Sequence, residues 1–88
     1  MTAYTRMELV QAVADVRHVL DVINGQVIDG HGTLVDELHA RRAAGRSEHA
    51  DTADDWGTWG ALDFAHAADE EVLDAVIYMA ERRRRGTA

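Results

Sequence analysis

The stretch that decides the fold is Thr5-Arg6-Met7-Glu8-Leu9-Val10-Gln11-Ala12-Val13-Ala14-Asp15-Val16-Arg17-His18-Val19-Leu20-Asp21-Val22-Ile23-Asn24-Gly25. Leu9, Val13, Val16, Leu20 and Ile23 recur at steps of 4, 3, 4 and 3, the seam of an α-helix packed against another helix. Val10, Ala12, Val19 and Val22 widen that stripe, so the helix should meet at least two neighbours. Glu8, Gln11, Asp15, His18 and Asp21 are left for water. Thr5 with Glu8 three residues on makes a capping box, and Asn24-Gly25 offers a left-handed C-cap. Together they bound a helix over about 6–24.

Outward from this helix, Gln26 to Gly32 reads as a glycine-broken connector with Val27 and Ile28 tucked inward. Thr33 offers a second N-cap with Asp36 behind it, and Gly45 a stop, which predicts a helix over 34–44 with a narrow stripe of Leu34, Val35 and Leu38. Arg41, Arg42 and Arg46 sit at its end, where cations suit the helix dipole. Arg46 to Trp56 is irregular, its Ser47, Asp51, Thr52, Asp54 and Asp55 all favouring caps and turns. From 58 to 85 nothing stops a helix: proline is absent, and Ala61, Leu62, Ala65, Val72, Val76 and Ala80 keep helical spacing. Asp69-Glu70-Glu71 could open a separate last helix, since acids favour a first turn; the unbroken helical spacing predicts one long helix. The fold expected is all-α, a three- or four-helix antiparallel bundle in a single domain over 1–88.

An 88-residue chain buries only about 60 to 65% of its unfolded surface. Small domains recover stability with disulfides, metals or partner subunits, and the absence of cysteine removes disulfides and thiolate metal sites together. Self-association is the remaining route, as a dimer or tetramer through the wide face of the first helix and the Ala-rich face of the long one. Net charge is −7, but four of the nine arginines lie in Arg82 to Arg85. Residues 1–81 therefore carry 5 Arg against 16 acids, or −11, which repels phosphate backbones and argues against direct nucleic-acid binding. An acidic decoy for a DNA-binding protein trails, because the acids are scattered rather than set in rows. The arginine tail is explained by the helix dipole and by the acidic body it would face. No apolar run approaches a membrane span, and Met1-Thr2-Ala3-Tyr4-Thr5-Arg6 lacks a signal-peptide plan, so the protein is expected to be cytoplasmic. Arginine without lysine and fifteen alanines match GC-rich genomes and the phages that infect them.

The chemistry-bearing segment is Asp69-Glu70-Glu71-Val72-Leu73-Asp74-Ala75-Val76-Ile77-Tyr78. Glu71 and Asp74 are three apart and Glu70 and Asp74 four apart, so their side chains share a helical face. Like charges at that spacing repel unless a cation or arginine neutralises them. Mg²⁺ takes hard oxygen ligands from one or two carboxylates, with water and substrate phosphates completing its shell. The competing reading is a solvated acidic face. His66, Glu70 and Asp74 at i, i+4 and i+8 would suit a transition metal instead.

The phrase Glu70-Glu71-Val72-Leu73-Asp74-Ala75-Val76-Ile77-Tyr78-Met79-Ala80 resembles the E-E-x-x-D-x-x-x-Y-L helix of MazG-like, all-α nucleoside triphosphate pyrophosphohydrolases. It is similar also to the E-E-x-x-D-A-x-x-Y helix of small phage proteins with an Asp- and Trp-bearing segment upstream, as Asp55-Trp56 is here. The resemblance covers about fifteen residues. It implies that Glu71 and Asp74 are catalytic metal ligands for Mg²⁺, with Glu70 as a helper and Glu37 from the upstream helix. In that helix Ala40 and His39 stand where the family's pattern has a second carboxylate. Arg42, Arg46 and Trp56 are the candidate substrate-binding residues, guanidinium groups for phosphates and an indole for a base; a Trp56–Trp59 pair at helical spacing also suits a core or a subunit interface. Two functions follow as expectations: a Mg²⁺-dependent nucleotide-handling protein that hydrolyses or binds (d)NTPs, or a noncatalytic helical module, phage-encoded, that binds a host protein or sequesters a nucleotide.

Overall fold

The computed structural model describes residues 3–30, 33–48 and 56–86. Its elements are three α-helices, α1 (Arg6–Asp29), α2 (Leu34–Glu48) and α3 (Ala61–Arg85), with one 3₁₀ turn at Trp56–Thr58 before α3. No strand occurs among the described residues. The expected Asp-rich turn at Asp51, Asp54 and Asp55, with His31 and His49, lies outside them.

The start of α1 forms as its residues require. The Glu8 backbone N–H donates to Thr5 Oγ1 at 3.1 Å and the Thr5 N–H donates to Glu8 Oε1 at 3.0 Å, satisfying two donors that a helix start leaves unpaired. Its end differs from the expected one. Asn24-Gly25 does not stop α1, which runs five residues further and closes at Gly30 in the left-handed region, φ 65°, with the Gly30 N–H donating to the Gln26 carbonyl at 3.2 Å. A second glycine five residues on serves as the cap, and the expected connector becomes a last helical turn on which Val27 and Ile28 are exposed, not tucked inward. α2 likewise runs past its expected stop, through Gly45 to Glu48. The third helix begins at Ala61 rather than 58, because Trp56–Thr58 take a tighter turn and the Gly60 N–H is capped by Asp63 Oδ2 at 2.9 Å. From there α3 is one uninterrupted helix, with Asp69-Glu70-Glu71 in its interior.

α1 packs chiefly on α3, while α2 approaches α1 and the 3₁₀ turn. The deepest positions are small: Ala12 and Ala80 are 0% and 1% exposed, with Val16 beside them. Alanine at both places lets two helix backbones come close. Charged groups bracket this contact. Arg83 reaches Asp15 at 2.5 and 2.9 Å, and Arg84 clamps Glu8 at 2.7 and 3.0 Å while donating to the Ala3 carbonyl at 2.8 Å. The Arg84 guanidinium also lies 4.3 Å over the Tyr4 ring, whose hydroxyl donates to Glu81. Glu8 and Asp15, expected to face water, are thus recruited by the arginine tail. The arginine hydrogen bond, aided by the Thr5 N–H, lowers the Glu8 carboxyl to about 2, and Arg83 holds Asp15 below the ordinary range. The Tyr4 hydroxyl, then Arg85, does the same for Glu81.

Candidate functional site

Three aromatic rings gather about the 3₁₀ turn that follows α2 and leads into α3. Trp56 and Trp59 lie 6.3 Å apart between ring centroids, and Phe64, on the first turn of α3, meets them edge-on at 5.7 and 5.0 Å. Trp56 lies directly over Gly45, and a Cβ there would overlap its six-membered ring. This contact explains why α2 carries a glycine in its interior: the position supplies room for an indole, not a helix stop.

Two clefts flank the cluster. One, of about 430 Å³, is lined by Arg42, Arg46, Trp56, Gly57 and Phe64. The other, of about 500 Å³, is lined by Trp56, Trp59, Phe64, Ala67, Ala68, Glu70 and Glu71. An aromatic wall therefore carries guanidinium groups on one side and carboxylates on the other. Arg42 and Arg46 are exposed, and neither enters an ion pair among the described residues. Donors of that kind beside an indole face suit a ligand that is both planar and anionic.

The candidate residues from the sequence are thus distributed unevenly. Arg42, Arg46 and Trp56 line one cleft, and Glu70 and Glu71 join Trp56 on the next. Asp74 is exposed on α3 and outside both linings, and Glu37 is occupied by Arg41, one turn along α2, at 3.1 Å. Among the described residues, no three His, Asp or Glu side chains stand together as a metal-holding group. Two carboxylates at a cleft edge do match the one or two that Mg²⁺ takes when phosphates complete its shell.

Sequence reasoning missed Phe64 and gave Gly45 the role of a helix stop, where the structure runs α2 through it. The signal for Phe64 was the crowding of three of the five aromatic residues into 56–64. Gly45 carried none, because a glycine that makes room for a ring and one that ends a helix look alike in a sequence. No helix among the described residues is long and apolar enough to cross a membrane. No family model, curated protein or solved structure matches the chain.

Proposed function

We propose that this protein handles nucleotides, receiving a base against Trp56 and Phe64 and the phosphates at Arg42 and Arg46, and that it works as a helical bundle in dimeric or tetrameric form. The observation that carries this reading is the convergence of two arginines with no ion-pair partner among the described residues and an indole face on one cleft, with Glu70 and Glu71 on the far side of the same aromatic wall. Mg²⁺ taking a carboxylate ligand from Glu71 or Glu70 at the cleft edge, with phosphate oxygens and water completing its shell, would neutralise phosphate charge there. The chain's own groups bind and orient: arginines fix an anion bidentately, and the aromatic rings select a flat partner.

Titration with a panel of (d)NTPs and Mg²⁺, followed by tryptophan fluorescence and thermal shift, tests it. Binding weakens about tenfold or more in Arg42→Ala and Arg46→Ala, the scale of a lost charge-assisted hydrogen bond, and more in Trp56→Ala. Release of pyrophosphate that disappears in Glu71→Gln identifies a hydrolase. A flat response to every nucleotide overturns the proposal. A second reading, a noncatalytic helical module that binds a host protein or sequesters a nucleotide, is favoured by the many apolar side chains left exposed on α1 and α3. It expects no pyrophosphate under any condition.

A further inference from the structure

The chain exposes far more surface than its mass calls for. Its accessible area is 7252 Å² at 9.7 kDa, where a folded monomer of that mass shows about 5,100 Å². The excess, about 2,100 Å², exceeds the roughly 800 Å² that each partner of a stable complex covers. The radius of gyration is 16.1 Å, against about 12 Å for a compact domain of this length.

Part of that excess has a specific chemistry. On α1, Val10 and Val13 are 55% and 42% exposed between Arg6 and Arg17, and together with Leu9 and Ala14 these residues line one shallow apolar cleft. Their spacing of four, three and four keeps the strip on a single helical face. On α3, Leu73 and Ile77 are 66% and 43% exposed, and Glu70 and Asp74 share their face at helical spacing. None of the four charged groups forms an ion pair among the described residues. One strip is apolar with a cationic rim, the other apolar with an anionic rim, and both belong to the same chain.

We propose that a second copy of this chain covers the α1 strip with its own α3 strip, Arg6 and Arg17 of one copy facing Glu70 and Asp74 of the other, and that the exchange is reciprocal. A two-fold assembly repeats the contact and closes it, so neither strip is left open. Apolar burial supplies the affinity and the opposite charges fix the register. This pairing rests on the self-association proposed above and not on nucleotide binding. It also offers the crowded acids a neutralising partner other than a metal.

Sedimentation of the whole chain without nucleotide tests it. The parent protein runs at the mass of a dimer or a multiple of it. Arg6→Glu with Arg17→Glu, and separately Glu70→Arg with Asp74→Arg, each run as monomers that keep their helical circular dichroism, and mixing the two charge-reversed proteins restores the dimer mass. A monomeric parent, a charge-reversed variant that stays assembled, or a mixture that stays monomeric overturns the pairing. Because the chain has no cysteine, a second measurement avoids charge reversal: Val13→Cys protein mixed with Leu73→Cys protein and oxidised gives mainly the cross-linked heterodimer. Equal or greater amounts of the two homodimers overturn the pairing as well. Nucleotide titration of the parent is read independently, so a monomeric protein that still binds nucleotide sinks this contact and the proposed self-association and leaves the nucleotide-binding proposal standing.

Discussion

Gly45 and Gly25 both sit inside helices, and glycine at such a place costs about 0.5–1 kcal/mol relative to alanine. Their surroundings reverse the outcome of the same substitution. A Cβ at Gly25 meets nothing within 4 Å, so Gly25→Ala should raise the unfolding free energy by about 0.5–1 kcal/mol. At Gly45 the Cβ would run into the Trp56 ring, so Gly45→Ala should move that indole off α2 and out toward water. The measurement is tryptophan emission in a Trp59→Phe background, where Gly45→Ala shifts the maximum to the red and Gly25→Ala leaves it in place. Should Gly45→Ala leave the emission unchanged, Trp56 does not rest on α2 as described.

At the scale of elements, the joint between α1 and α3 combines a contact centred on Ala12, Val16 and Ala80 with charges that titrate in acid. The Glu8 carboxyl lies near 2 in the folded chain against an ordinary 4.5. A lowered carboxylate adds stability that is fully present above its unfolded value and fades as pH falls through its folded value. The α1–α3 contact should therefore weaken between about pH 4.5 and 2, with Asp15 and Glu81 adding in the same direction because their carboxyls are lowered too. Glu8→Gln should lower Tm at pH 6 and flatten the acid limb, so that parent and variant converge near pH 2. Thermal melts across that range check this; a constant Tm difference at all pH values would mean that Glu8 acts through shape and not charge. The charges are solvent-accessible, so their contribution is also screened by salt.

For the whole molecule, stability should depend on concentration. With two alanines and one valine as its buried apolar side chains among the described residues, a separate chain has little to set against the conformational entropy of ordering its backbone. Assembly stabilises the folded form by mass action. Tm should rise with each tenfold increase in protein concentration and fall on dilution, followed by circular dichroism; a Tm independent of concentration would mean that the isolated chain is self-sufficient. The same openness separates the aromatic site from the ionic joint: Trp56, Trp59 and Phe64 gather where the 3₁₀ turn meets α2, while the arginine tail grips the start of α1.

What the sequence by itself determined was local: helical periodicity, the Thr5–Glu8 capping box, and the absence of any breaker through α3, because each depends on residues within a turn or two of one another. Arg42, Arg46 and Trp56 were each legible as binding-type residues, but that they line one cleft is a matter of the fold, since nothing in the sequence sets the end of α2 beside the 3₁₀ turn. Helix ends at Gly25 and Gly45 were misread because a glycine signals freedom, and only its neighbours decide whether that freedom becomes a left-handed cap, as at Gly30, or space for a ring. Asp15 and Glu8 were misassigned to water for the same reason, since their partners lie nearly seventy residues or more away in Arg83 and Arg84. Tertiary structure alone settles contacts between distant segments, because no local pattern records which helix face another helix will meet.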